Sequence, residues 1–244
     1  DAKRLDPVRP IMGAVSNTPE SAPIFSVADL IAINYNLPTY EPLRQKYPEK
    51  CFISSENCAV PSTRGFFFDD DEHKSIYNAK DRTFSNWQTS REDTWKFIMA
   101  RPWVAGGYQW AGIEHRGETI WPRLCSQSGA LDLYLQKKDA FYQNQSLWTD
   151  KPMVHLLPHW NFQGREGEII SVWAYTNCQE VELFLNDNSL GRKAIERFGH
   201  GEWSVPYAPG ELRVVAYNDG QEVASDSAIT TGPAVALRLR LDNG

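Results

Sequence analysis

Two textures of apolar and polar positions divide the chain near Asp150. Up to that point, short apolar runs of strand length alternate with longer stretches of helical period, which is the pattern of β/α units around a parallel sheet. The runs Ile11–Val15, Ala28–Tyr35, Cys51–Ser55 and Val104–Trp110 show no polar alternation, as strands buried on both faces require. Helical spacing marks Pro38–Tyr47, Ser90–Ala100 and about Leu133–Trp148. The second of these opens on Ser90-Arg91-Glu92-Asp93, a capping box ahead of Trp95, Phe97 and Ile98. Four such repeats predict half of an eight-stranded (β/α)8 barrel over residues 1–150.

From Lys151 the pattern becomes short alternating strands punctuated by turn residues, with no helical stretch. Val181, Leu183 and Leu185 fall on one face of Glu180–Leu185, and that strand should stop at Asn186-Asp187-Asn188. Glu168–Thr176, Glu202–Val205, Glu211–Tyr217 and Gln221–Ile229 continue the rhythm, with turns at Pro209-Gly210 and Asp219-Gly220. Roughly seven strands in so short a span predict an immunoglobulin-like sandwich over residues 151–231. After Thr230-Thr231-Gly232-Pro233, the segment Ala234–Leu241 reads as one further strand. It either completes the sandwich or, as residues 232–244, forms a linker or the start of another module.

Composition narrows the function classes. The 244 residues are 41% hydrophobic and 23% charged, which excludes a disordered tail or a fibre. Lys and Arg number 25 against 31 Asp and Glu, a formal net charge of −6, and no basic stripe offers itself to nucleic acid. No apolar run approaches the roughly 18 residues of a membrane span, so no membrane partner is expected. The opening Asp1-Ala2-Lys3-Arg4 lacks the apolar stretch of a secretory leader and is not expected to be the natural start, so the compartment stays open. The four cysteines form no Cys-x-x-Cys pair. Seven of nine Trp fall between Trp87 and Trp160; a large core accounts for most, though flat rings with a polar edge also suit the faces of sugars.

In a (β/α)8 barrel the catalytic groups come from the C-terminal ends of strands, because the loops there build the pocket while the interior is packed solid. Glu56 follows the strand Cys51–Ser55 directly, Asn34 and Tyr35 close Ala28–Tyr35, and Trp110 closes Val104–Trp110. A carboxylate, an amide, a phenol and an indole on one rim make a sugar site, in which the indole walls the ring and the others bind hydroxyls. By spacing alone the plainer reading of Glu56 is an exposed loop glutamate.

The ordered motifs Arg4-Leu5-Asp6-Pro7-Val8-Arg9-Pro10, Asp29–Tyr35, Ile53-Ser54-Ser55-Glu56, Gly106–Gly112 and Gly117-Glu118 resemble the second half of the catalytic barrel of glycoside hydrolase family 2, the β-galactosidase family. Pro158-His159-Trp160-Asn161 and Val172–Asn186 are similar to the immunoglobulin-like domain that follows the barrel in many bacterial members. The resemblance implies retaining, exo-acting hydrolysis of terminal β-linked sugars, most often galactose, without a cofactor. It matches Glu56 to the nucleophile, Tyr35 to the tyrosine that hydrogen-bonds it, and Trp110 to the aromatic wall; Asn34 lies where a contact to nucleophile or sugar fits. The nucleophile of such a site must stay ionised while its partner acid holds a proton for the leaving oxygen.

One departure limits the inference. The family carries its acid/base glutamate in an Asn-Glu pair, and no Asn-Glu dipeptide occurs in this sequence. A retaining mechanism needs two carboxyl groups about 5–5.5 Å apart, so the chain by itself is expected to hydrolyse nothing at a useful rate. A half barrel also leaves open sheet edges, so either the other half is supplied by another polypeptide or was lost, or two copies pair. Rival readings are a non-catalytic carbohydrate binder built on the sandwich, or a scaffold that mediates oligomerisation. His155 and His159 are four apart, but Pro158 and a strand-like pattern remove the helical face a zinc pair would need. Asp69-Asp70-Asp71-Glu72-His73 reads as a solvated loop rather than a calcium site, Asn144-Gln145-Ser146 as a sequon inside a helix, and the loop holding Glu114, His115 and Glu118 as structural. No Gly-x-Ser-x-Gly elbow or phosphate-cradling glycine loop is present.

Overall fold

A computed structural model of the chain describes residues 1–68, 76–119 and 121–239. The acidic run Asp69–His73 lies outside the described residues. After a single turn, α1 (Ala2–Leu5), the strands β1 (Met12–Val15), β2 (Leu30–Asn34), β3 (Cys51–Cys58) and β4 (Val104–Trp110) form one parallel sheet in sequential order. The crossovers carry α2 (Ile24–Val27), α3 (Tyr40–Lys46) and α4 (Arg91–Met99), and α5 (Asp139–Trp148) follows the last strand. Apolar side chains from both layers fuse into one core: Ile31, Ile33 and Phe52 from the sheet meet Phe25, Tyr40, Leu43 and Ile98 from the helices. Close approach is required where β4 passes α4, since a Cβ on Gly107 would come within 2.9 Å of Ile98 and 2.5 Å of the Asn57 amide.

The start of α4 follows from its first four residues. Ser90 Oγ accepts a hydrogen bond from the Asp93 N–H at 3.0 Å and donates to the Asp93 carboxylate at 2.6 Å. Asp81, buried in the loop ahead, accepts from the N–H groups of Arg91 and Glu92 at 2.8 and 3.2 Å. The first free amides of the helix are therefore satisfied.

Beyond a two-stranded pair, β5 (His115–Arg116) with β6 (Cys125–Ser126), the remaining strands are antiparallel. They are β7 (Val154–Leu157), β8 (Ile169–Thr176), β9 (Glu180–Leu185), β10 (Asn188–Ala194), β11 (His200–Pro206), β12 (Glu211–Asn218) and β13 (Gln221–Ile229). One sheet runs β10-β9-β12-β13 and the other β11-β8-β7. Their inner faces enclose Trp160, Val172, Val181, Leu183, Trp203, Leu212 and Val214. The Trp160 indole N–H donates to the Ala208 carbonyl at 2.9 Å. The architecture is a partial (β/α)8 barrel followed by an immunoglobulin-like sandwich.

Four boundaries differ from the sequence reading. The segment expected as a strand at Ala234–Leu241 is no strand over its described residues: none of 234–239 joins a ladder, and Val235, Leu237 and Leu239 are 95%, 100% and 98% exposed. Their alternation has no neighbouring edge to act on. β9 stops at Asn186 as expected, but Asn186-Asp187 is a tight turn that leads straight into β10, a strand the sequence pattern does not predict. Every residue of β10 is exposed, so the strand carries no apolar signal and is held by its ladder to β9. The helix expected from Leu133 starts at Asp139, because Leu131–Lys138 is tied down by isolated bridges and by Asp132 hydrogen bonds to Tyr134 and Gln136. Finally, β3 continues to Cys58, so Glu56 lies within the strand and not after it.

The two parts meet through buried polar contacts. Asp81 pairs with Arg91, both side chains 2% exposed, accepts from Gln143 Nε2 at 2.8 Å and offers its own N–H to the Tyr175 hydroxyl of β8 at 3.3 Å. Lys80 donates to the Ser171 carbonyl at 2.8 Å. His200 of β11 meets Glu92 of α4 at 2.6 Å, and His155 of β7 sits between Asp139 of α5 at 2.9 Å and Asp226 of β13 at 3.5 Å. His155 also stacks on Tyr142, and His159 stacks on Phe162. All four cysteines are unpaired. Among the described residues no helix is long and apolar enough to cross a membrane.

Candidate active site

A bulge in the sheet builds the site. Ile33 of β2 pairs with Ser54 of β3, but the next residue, Asn34, pairs with Glu56, so Ser55 is an extra residue on β3. Because side chains alternate between faces, that extra residue sets Glu56 opposite Asn34. Asn34 Nδ2 donates to Glu56 Oε1 at 2.8 Å, and the Tyr35 hydroxyl donates to Oε2 at 3.0 Å. The Ser55 hydroxyl donates to Asn34 Oδ1 at 2.7 Å. A hydroxyl on the amide oxygen fixes which way Asn34 faces, so its NH2 points at Glu56.

Tyr35 reaches the carboxylate by an uncommon backbone turn. Its φ is +57° and that of Asn36 +43°, both left-handed, while its N–H stays on the Glu56 carbonyl at 2.7 Å. A non-glycine residue in that region is strained by about 1 kcal/mol or more, and such strain concentrates at functional sites. Burial raises the Tyr35 phenol far above its usual range, and the hydrogen bond to Glu56 and the charge of that carboxylate push it further the same way. The phenol therefore stays protonated and remains a donor. Below the site, burial pushes the Cys58 thiol up to about 12, which leaves it inert.

Glu56 opens into a cavity of about 820 Å3, shared with Tyr35, Trp87, Trp110, Glu118 and Arg123. The structure thus brings Tyr35, Glu56 and Trp110 to one cavity, with Asn34 bonded to the carboxylate from the side. Trp110 is braced edge-on by His115, ring centroids 5.4 Å apart, and Trp87 meets Tyr35 edge-on at 5.0 Å. The sequence reading missed Trp87, Arg123 and the positioning contact of Ser55, and took Glu118 as structural. Glu114, in that same loop, does serve structure: Lys138 donates to it at 2.8 Å with side chains 1% and 10% exposed. Only the loop position after Trp110 hinted at Glu118. Chemically, a carboxylate held at both oxygens by neutral donors, facing an aromatic-walled cavity, can attack an electrophilic carbon without swinging out of line.

Comparison with known proteins agrees with this architecture. A family profile described as a domain of unknown function, DUF4982, matches residues 167–224 in the sandwich. Beta-galactosidase BoGH2A of Bacteroides ovatus is 32% identical over 98% of this chain, which spans 31% of that protein. A putative beta-glucuronidase of Formosa agariphila is 31% identical over 98% of the chain, corresponding to 27% of its own length. Among solved structures, a beta-glycosidase from Bacteroides vulgatus superposes with a TM-score of 0.79 at 30% identity, covering 95% of this chain and 33% of that one. A glycosyl hydrolase family 2 member from Bacteroides cellulosilyticus gives a TM-score of 0.71 at 27% identity, covering 95% of this chain and 29% of that one. The chain spans about a third of the length of these relatives. Over nearly its whole length it is homologous to a portion of the glycoside hydrolase family 2 enzymes.

Proposed function

We propose that the chain is the nucleophile-bearing part of a retaining, exo-acting β-glycosidase, with Glu56 as the attacking carboxylate. The observation that carries the proposal is the pair of hydrogen bonds from Asn34 and Tyr35 that fix both Glu56 oxygens at the mouth of the cavity. In the first step a Glu56 oxygen bonds to the anomeric carbon as the bond to the leaving oxygen breaks, giving a covalent glycosyl-enzyme. The Tyr35 hydroxyl and the Asn34 amide hold the carboxylate against rotation, and Trp110 walls the sugar ring.

A neutral sugar such as galactose suits the cavity better than a uronic acid. Two carboxylates, Glu56 and Glu118, line it against one guanidinium, Arg123, so a ligand carboxylate meets net negative charge. The glucuronidase alternative is supported by Arg123 in the cavity and by the beta-glucuronidase names of several relatives. Departure of the leaving oxygen needs a second carboxyl acting as an acid, and no Asn-Glu pair supplies one from these residues. The chain as it stands is therefore proposed to bind sugar without sustained turnover.

The test is a panel of nitrophenyl β-galactosides and β-glucuronides, with sugar binding read from the Trp110 indole N–H by NMR. The reading expects no sustained turnover, a shift of the Trp110 signal with galactose, and a weaker one with glucuronate. Sustained turnover would overturn the division of labour, and a Trp110 signal indifferent to both sugars would overturn the site.

A further inference from the structure

The seam between the two parts of the chain holds a cavity of about 500 Å3 that shares no residue with the cavity of Glu56. It lies among the last turn of α5, the turn after β8 and the connection from β10 to β11. The volume falls within the roughly 300–1,000 Å3 of small-molecule sites, and such sites favour junctions between domains. α5 separates the two cavities. Lys138, at its start, donates to Glu114 and to the carbonyl of Gln127, a residue of the first cavity, whereas the last residues of the helix line the second. Ten helical residues put about 15 Å between these two ends.

The groups left open in this seam share a character. Asn177 donates to the carbonyls of Thr149 and Lys151 at 2.8 and 2.9 Å and accepts from the Met153 N–H, which fixes the chain as it leaves α5. The carbonyls of Ser146, Leu147 and Trp148, three residues of the lining, receive no hydrogen bond from any described residue, so the end of the helix presents three acceptors. Beside them, the Asp150 carboxylate and the Arg197 guanidinium make no ion pair or hydrogen bond with any described residue. Arg197 lies over the Phe198 ring at 4.8 Å. The Trp148 indole is held edge-on by Trp95, ring centroids 5.5 Å apart, and remains 55% exposed.

Hydroxyl groups answer this set. Each donates to a carbonyl or carboxylate and accepts from a guanidinium, so adjacent hydroxyls of a pyranose can engage Asp150 and Arg197 together while the apolar face of the ring covers the indole. Charge disfavours the competitors. Asp150 and Arg197 cancel, and Glu196 is already held by Lys96 at 2.6 Å. An ammonium would meet Arg197, and a carboxylate would meet Asp150 and the negative end of α5. We propose that the seam is a binding site for a neutral sugar, seated on Trp148 between Asp150 and Arg197 and remote from Glu56. The site holds a glycan and makes or breaks no bond in it. It stands apart from the glycosidase reading, since it needs nothing from Glu56.

NMR titration of the 244-residue chain reads the site directly, with the Trp148 indole N–H and the Arg197 Nε–H as reporters. The probes are methyl β-galactoside, methyl β-glucoside, glucuronate and methylammonium. A neutral glycoside is expected to move both reporters together and saturably, and the two charged probes to leave them in place. The double variant Asp150→Ala with Arg197→Ala should weaken the Trp148 response by about tenfold, as expected for losing hydrogen bonds to two charged groups. Both positions are exposed, and an unchanged thermal melt verifies the fold. A glycoside that moves Trp148 equally in the native chain and the variant rests on the ring alone and overturns the site. Silence of both reporters with either glycoside overturns it too, as does tighter binding of methylammonium. The Trp110 indole, read in the same spectra, tests the glycosidase reading separately, so either claim can fail while the other stands.

Discussion

At the scale of single residues, the orientation of Glu56 depends on a short relay: Ser55 turns the Asn34 amide, and Asn34 with Tyr35 holds the carboxylate. Tyr35→Phe removes one donor and keeps the ring, so it should slow attack by Glu56 on an activated glycosyl donor by about tenfold to a hundredfold while shifting the melting temperature little. Stopped-flow or quenched-flow rates of covalent labelling check this; an unaltered rate would mean the phenol does not act on the carboxylate. Ser55→Ala should give a smaller loss of about tenfold or less, because it loosens Asn34 without removing a contact to Glu56. Asn34, Tyr35 and Trp110 could be placed on one rim because each closes an apolar run, where a barrel sets its chemistry, whereas spacing alone left Glu56 open to a loop reading and the family resemblance singled it out. The bulge at Ser55 was not, since an extra residue in one strand leaves no trace in the hydrophobic pattern. Trp87, Glu118 and Arg123 come from loops, whose path depends on contacts distant in sequence.

At the scale of elements, the first turn of α4 and the strands behind it are joined by Asp81. Removing its carboxylate strands the buried Arg91 charge and frees the first amides of the helix, so Asp81→Ala should cost about 3–5 kcal/mol in urea unfolding. A loss below about 1 kcal/mol would mean the network is dispensable. His155 gives a pH signature. Burial lowers its affinity for a proton, but hydrogen bonds to Asp139 and Asp226 outweigh that and raise its pKa above the ordinary 6.5. Its contribution to stability is complete below pH 6.5 and is lost as pH rises through the raised value. Asp226 runs the other way: burial opposes ionisation, the His155 bond and the Leu156 and Ser227 amides prevail, and its stabilisation is lost as pH falls through a value below 3.8. Melting temperatures across about pH 5 to 9 should therefore decline on the alkaline side, and His155→Gln should flatten that decline. An identical profile in the variant would remove His155 from the account. Elements with a clear apolar pattern, such as β4 and β9, matched the sequence reading closely, as did the Ser90 cap; β10, exposed throughout, and the tail after Thr231 did not. In both cases alternation and pairing diverge: a strand forms where a neighbour offers an edge, whatever its side chains say.

At the scale of the whole molecule, the parallel sheet ends at β1 and β4, each paired on one side only among the described residues. Large apolar side chains lie exposed around it, including Val8, Val27, Tyr108, Trp121 and Leu124. Unpaired edges and apolar patches recruit partners, so sedimentation of the chain should show concentration-dependent association; a strict monomer with a cooperative melt would contradict that expectation. The central claim, that Glu56 is a nucleophile already in place, can be examined without an acid partner. A 2-deoxy-2-fluoro-β-galactosyl fluoride expels fluoride, which departs as an anion and needs no proton, so a poised carboxylate suffices to displace it. Incubation followed by peptide mass spectrometry should find one fluorogalactosyl group on the Glu56 peptide and none in Glu56→Gln; label on another residue, or none on the native chain, would contradict the account.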